Sequence, residues 1–181
     1  MNWQRLLLRN LPMMSVSSFL KSLKNHFDQQ RTTPSAPVTS QPYAYIAGPL
    51  FDEGERWFIE SVEARVAALG FRTFLPHRDN PPKTPDTVRT IYDNDRTAIE
   101  RCDVIVANLN GIMTDDGTAW ELGYAFALRK YGIGIFTDWR ARFPAKLEVV
   151  NLMMQCSLDV LARSLDEMDA ALVAWKQHAS R

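Results

Sequence analysis

Asp103-Val-Ile-Val-Ala-Asn-Leu109, followed at once by Asn110-Gly-Ile-Met-Thr-Asp115-Asp116-Gly117-Thr118-Ala-Trp-Glu121-Leu-Gly-Tyr-Ala125, is the stretch that decides the fold. Its first part is a short apolar run rich in β-branched residues, the pattern of a strand covered on both faces. The second part is a polar, carboxylate-rich turn that opens into a helix. Gly117 allows a tight entry, and Thr118 is the expected N-cap, which would put Glu121 in the first helical turn. A buried strand that feeds a helix is the repeating unit of a parallel sheet.

The same alternation extends in both directions. Upstream, residues 43–48 read as a strand. Residues 52–69 carry Ile59, Val62, Val66 and Leu69 at helical spacing, with Gly70 as the stop. A strand at 71–75, a polar loop with Pro81, Pro82 and Pro85, and a helix at 86–101 complete that half. Downstream, the helix 118–131 leads to a strand at 132–136. A loop and a short helix around Asn151 follow, then a strand near 158–161. The last helix starts at Ser164, where Ser164-Leu-Asp-Glu167 fits a capping box. The expected fold class is α/β: a doubly wound, mostly parallel sheet of about five strands with helices on both faces. In such sheets ligands bind beyond the carboxyl ends of the strands, which here means just after Gly48, Leu75, Leu109 and Phe136.

Composition narrows the function classes. The chain has 181 residues, 46% hydrophobic and 23% charged, so it is globular and not wholly disordered. Lys+Arg and Asp+Glu are both 21, so overall charge gives no reason to expect a nucleic-acid polymer or a membrane as partner. Cys102 and Cys156 form no Cys-x-x-Cys pair, and His26, His77 and His178 show no ligand spacing, so neither a disulfide framework nor a metal site is expected. No stretch reaches the ~18 apolar residues of a membrane span.

The balanced charge hides an asymmetry. Residues 1–42 carry five basic groups, one acid and four of the ten prolines, against 16 basic and 20 acidic groups in 43–181. We read 1–42 as an N-terminal extension and 43–181 as the domain. Two readings of the extension stay open: a disordered or loosely helical tail, or an amphipathic organelle-targeting sequence. The expected location is accordingly cytoplasmic, or organellar under the second reading.

The chemistry gathers at the strand ends. Thr118-x-x-Glu121 is by itself a capping-box pattern, so Glu121 has a structural reading beside a catalytic one. The position at a strand's carboxyl end, with Asp115 and Asp116 in the same turn, favours catalysis, because crowded carboxylates are how enzymes separate acid and nucleophile roles. Asp93-Asn-Asp95 reads as an exposed acidic helix face, and Cys102 as a buried small residue.

Tyr45-Ile-Ala-Gly-Pro-Leu-Phe51, Asn94-Asp95 through Cys102-Asp103-Val-Ile-Val-Ala-Asn, Asp115-Asp-Gly-Thr-Ala-Trp-Glu121-Leu-Gly-Tyr-Ala and Asn151-Leu-Met153 together resemble the nucleoside 2-deoxyribosyltransferase family. The resemblance spans about 43–175, and its four segments fall in the family's order. It implies a flavodoxin-like fold, no cofactor, nucleosides and nucleobases as small-molecule partners, and a homo-oligomer whose site is completed by a neighbouring subunit. By position it implies Glu121 as nucleophile and Asp95 as the group assisting protonation of the leaving base. Tyr45 and Gly48 would line the sugar site. Asp115, with Gly117 beside it, would hold the sugar 5′-hydroxyl, and Asn151 and Met153 would come from the neighbour. Asp79 falls in the base-reading loop, where some members carry a glutamine after an Asp-Asn pair. Here Asp79-Asn80 is followed by Pro81, which implies a different base recognition. Three activities are consistent with the sequence: 2-deoxyribosyl transfer between bases, N-glycosidase action on 2′-deoxynucleoside 5′-monophosphates, and a non-catalytic nucleotide-binding module. Asp115 and Asn151 suit a hydroxyl better than a phosphate.

Overall fold

The structure is a computed structural model that describes residues 41–138 and 150–179. The extension expected at 1–42 therefore lies outside the described residues except for Gln41 and Pro42, as does most of the loop after Phe136. The described elements run β1 (Tyr43–Ala47), α1 (Glu53–Ala68), β2 (Arg72–Phe74), α2 (Pro76–Asp79), α3 (Val88–Arg101), β3 (Val104–Asn108), α4 (Asp116–Ala127), β4 (Tyr131–Ile135), α5 (Leu152–Ser157), β5 (Val160–Ala162) and α6 (Leu165–Ala179).

All strand pairings are parallel, and the order is β2-β1-β3-β4-β5. This is the flavodoxin arrangement, in which the chain starts in the middle and the order reverses between β1 and β3. The register places Tyr45 beside Ile105 and Ala47 beside Ala107, so the two strands end together at that reversal. Period-two alternation divides the core. Ala44, Ile46, Val104 and Val106 face α1 and α6, meeting Ile59, Val62, Met168 and Leu172. Tyr45, Ala47, Ile105 and Ala107 face α3 and α4, meeting Ile99, Leu122 and Ala125. Tyr45 thus points to the layer that carries both Asp95 and Glu121.

Local chemistry sets the helix ends. Asp52 caps α1 by accepting from Glu55 N at 2.8 Å, while Glu55 Oε2 accepts from Asp52 N, a complete capping box. At the other end Gly70 (φ +84°) supplies the left-handed residue that stops the helix. Gly70 N donates to Ala67 O at 2.8 Å and Phe71 N to Val66 O at 3.4 Å, the two bonds of a Schellman motif. At α6, Glu167 N donates to Ser164 Oγ at 3.1 Å, but the Glu167 carboxylate accepts from Arg163 N, so the expected capping box is shifted by one residue on its return side.

Two expectations need correction. His77 and Arg78 sit in a short helix, α2, and not in an open loop. Pro76 starts it, a position where a missing N–H costs nothing. More consequentially, α4 starts earlier than expected. Its N-cap is Asp115, and Thr118 is fully buried inside the first turn. Asp115 Oδ2 accepts from both Thr118 N (2.8 Å) and Thr118 Oγ1 (2.9 Å), so the carboxylate displaces the hydroxyl as cap. Gly117 is a helical residue, not a special turn. A Cβ there would lie 3.2 Å from Asp115 Oδ2 and crowd the capping carboxylate.

Candidate active site

With the start of α4 moved back, Glu121 is released from any capping duty and lies one turn further along the helix. Its carboxylate faces the sheet, where Tyr45 Oη donates to Glu121 Oε1 at 2.6 Å. Tyr45 is fully buried and its ring stacks on Phe74, with centroids 5.6 Å apart. Packing therefore fixes the phenol, and the phenol fixes one carboxylate oxygen. Burial pushes the Glu121 carboxyl up to about 8. The neighbouring Asp95 and Asp115 carboxylates push the same way, and the Tyr45 hydroxyl opposes them. Burial, together with the Glu121 and Asp95 charges, also holds the Tyr45 phenol well above its ordinary range, so it stays a neutral donor.

Asp95 comes from the second turn of α3. Burial raises its pKa, opposed by a hydrogen bond from Asn80 Nδ2 to Asp95 Oδ1 at 2.6 Å. Asn94 Nδ2 in turn donates to Asn80 Oδ1 at 3.0 Å. Asn80 reaches this position because Pro81 follows it. A residue before proline is driven to extended backbone, and Asn80 has φ −100° and ψ 157°, which takes the chain out of α2 and back toward α3. Asn80 and Asn94 were not among the expected site residues. Their sequence signals were the Asn80-Pro81 pair and the place of Asn94 beside Asp95 in a segment of the family resemblance.

Gly48 ends β1 with no room for a side chain. A Cβ there would lie 2.8 Å from Ile59 Cδ1 and 3.1 Å from Asn108 Cβ. Its function in the structure is close packing of α1 and β3 around the turn that leaves Tyr45. Asp115 stands at the mouth of α4 with Oδ2 engaged by Thr118.

The fold does not bring Asp79 into this group. Its carboxylate accepts from Leu75 N (2.8 Å) and from both Arg78 Nε and Arg78 Nη2, and the Arg78 guanidinium holds its pKa below the ordinary range. Arg78 is itself tied to Glu63, and His77 to Glu60. Asn151 caps α5 by accepting from Met153 N at 2.9 Å. Both side chains are exposed, Met153 by 78%. Among the described residues no group of three or more His, Cys, Asp and Glu side chains is placed to hold a metal ion. No described helix is long and apolar enough to cross a membrane.

A buried carboxyl held by a buried phenol, with a second carboxyl acting on it, brings together at the sheet's switch point the two kinds of group that breaking a glycosidic bond uses, a nucleophile and an acid. The nucleoside 2-deoxyribosyltransferase family matches residues 44–153, and the chain belongs to it. No curated protein sequence matches the chain. Among solved structures, a conserved protein from Enterococcus faecalis V583 is similar at TM-score 0.65 and 19% identity, covering 75% of this chain and 99% of that one. The 2-deoxyribosyltransferase of Bacillus psychrosaccharolyticus is similar at TM-score 0.61 and 24% identity, covering 72% and 95%. Both show the fold. The 2-deoxyribosyltransferase of Leishmania mexicana is similar at TM-score 0.56 and 26% identity, covering 76% and 98%.

Proposed function

We propose that the protein breaks the C1′–N bond of 2′-deoxynucleosides and passes the 2-deoxyribosyl group to a second base through a glycosyl ester on Glu121. The observation that carries this reading is the Glu121 carboxylate, held at Oε1 by the buried Tyr45 hydroxyl. That bond leaves Oε2 as the oxygen free to attack C1′. As the base departs, positive charge grows on the sugar. A nearby cation lowers the pKa of a carboxyl, so the charge that Glu121 must neutralise also favours its ionised form. The electron pair of the breaking bond goes to the base nitrogen, which takes a proton from Asp95, and the Glu121 ester forms. In the second half-reaction an incoming base attacks C1′ from the vacated side and returns a proton to Asp95. Two inversions give net retention. Water in place of the second base would give hydrolysis from the same ester.

Asn151 and Met153 fit this reading as residues offered to the site of a neighbouring subunit, since both side chains are exposed. The test is to incubate the protein with deoxyinosine and free adenine and to follow deoxyadenosine by chromatography. Transfer by the wild type and none by a folded Glu121→Ala variant is the expected result. A folded Glu121→Ala variant with near wild-type turnover would overturn the assignment of the nucleophile.

A further inference from the structure

Asp95 has two oxygens, and protonation of a departing base requires that the right one carry the proton. The structure distinguishes them. Oδ1 accepts the hydrogen bond from Asn80 Nδ2 at 2.6 Å, a short contact for an amide donor. The other end of the same amide is engaged as well: Asn80 Oδ1 accepts from Asn94 Nδ2 at 3.0 Å. An amide offers one acceptor end and one donor end. With its acceptor end turned to Asn94, Asn80 presents its donor end to Asp95. A carboxyl oxygen that accepts from an N–H does not also point a proton at it.

We propose that Asn80 and Asn94 form a two-amide relay that positions Asp95, holding its Oδ1 as an acceptor so that the acid proton resides on Oδ2. Asn80 and Asn94 are positioning residues, since they act through Asp95. The proposal rests on the reading of Asp95 as the group that protonates the leaving base. The relay is built into the backbone. Pro81 forces the extended conformation that delivers Asn80, and the loop beyond it is closed by Thr87 Oγ1 donating to Pro82 O at 2.7 Å. Asn94 and Asp95 are consecutive on α3, so one helical turn supplies both the acid and the far end of the relay.

The test uses a leaving group that needs no acid. A 2′-deoxyadenosine base leaves as an anion unless it is protonated. The base of 7-methyl-2′-deoxyguanosine is already cationic and leaves neutral. A residue that only supports the loop affects both donors alike, whereas one that orients the acid affects the first alone. We expect Asn80→Ala to lower kcat/KM for 2′-deoxyadenosine by roughly 10- to 100-fold, within the range of general acid catalysis, and to change kcat/KM for 7-methyl-2′-deoxyguanosine by less than about threefold. Asn94→Ala keeps Asn80 and its loop, and is expected to show the same selective loss at smaller size. Base release is followed at saturating acceptor with the full-length protein. Equal losses on both donors, or no loss on either, would overturn the relay while leaving the function standing. A wild type inert toward both donors would overturn the functional reading and the relay with it.

Discussion

Replacing Glu121 by glutamine should stabilise the protein, and the gain should depend on pH in a defined way. In the unfolded chain the Glu121 carboxyl titrates near its ordinary value of 4.5, and in the folded protein burial holds it up to about 8. Between those values the unfolded state has released a proton that the folded state keeps. The folded state therefore binds more protons, and stability falls as pH rises, by ~1.4 kcal/mol per pH unit for one group. At pH 7 the deficit is about 3 kcal/mol, and above pH 8 it levels off at about 5 kcal/mol, the cost of burying the charge. Glutamine has nearly the same shape, keeps an oxygen for Tyr45 Oη and has no proton to lose. The unfolding free energy of Glu121→Gln minus that of the wild type should be near zero at pH 4.5, climb through neutrality and flatten above pH 8. Urea unfolding followed by tryptophan fluorescence at pH 4.5, 6, 7 and 8.5 measures it. A difference that stays constant across this range would refute the raised pKa and the account of the site built on it.

Tyr45→Phe keeps the ring packed on Phe74 and removes a hydrogen bond to Glu121 that becomes charge-assisted, worth ~1.5–3 kcal/mol, when the carboxyl ionises in the reaction, so kcat/KM should fall roughly 10- to 100-fold. A change within twofold would show that the phenol is a bystander. Gly48→Ala should lower stability by about 1–3 kcal/mol, read as a lower thermal midpoint, because its Cβ would meet Ile59 Cδ1 at 2.8 Å. An unchanged midpoint would contradict the close packing at that turn. The wild type should prefer deoxyadenosine to its 5′-monophosphate, since one unit-charge pair at ~4 Å costs ~1 kcal/mol in water and ~4 at an effective dielectric of 20. Asp115→Ser, which still caps α4, should shift the kcat/KM ratio toward the monophosphate by at least about fivefold. A wild type that favours the monophosphate would place the N-glycosidase reading first.

The sheet was legible because each of its strands leaves a trace that one sequence can carry. The β-branched run before Leu109, the apolar spacing from Ile59 to Leu69 and the stop at Gly70 each report a local event, and the structure places each where its pattern lies. The start of α4 was misread because two capping patterns overlap there. Thr118-x-x-Glu121 and Asp115-x-x-Thr118 are both plausible on paper, and only the folded chain shows the carboxylate winning. Four residues of α2 are too few to display a period at all. The site was legible in part. Glu121 and Asp115 were singled out by position and resemblance and Asp95 by resemblance alone, and in the structure the charges of Asp95 and Asp115 act on the Glu121 carboxyl. The bonds that join Asn94 to Asn80 and Asn80 to Asp95 were not foreseen, because Asn80 and Asn94 belong to different elements and nothing local marks two amides as partners. Asp79 drew attention as the acid beside Asn80, yet its charge is spent on Arg78.

The bond from Tyr45 to Glu121 joins residues 76 positions apart in sequence. Closing so long a loop is costly in chain entropy and is recovered only when β1, β3 and α4 have all taken their places. Secondary structure can therefore form well before the chain holds the Tyr45–Glu121 pair. In refolding, the return of turnover should lag behind the return of helix. In the neutral pH range it should coincide with the uptake of about one proton as Glu121 enters its buried position. On the proposed function, activity would serve as a clock for the last stage of folding, and an unbuffered pH indicator would read the same event.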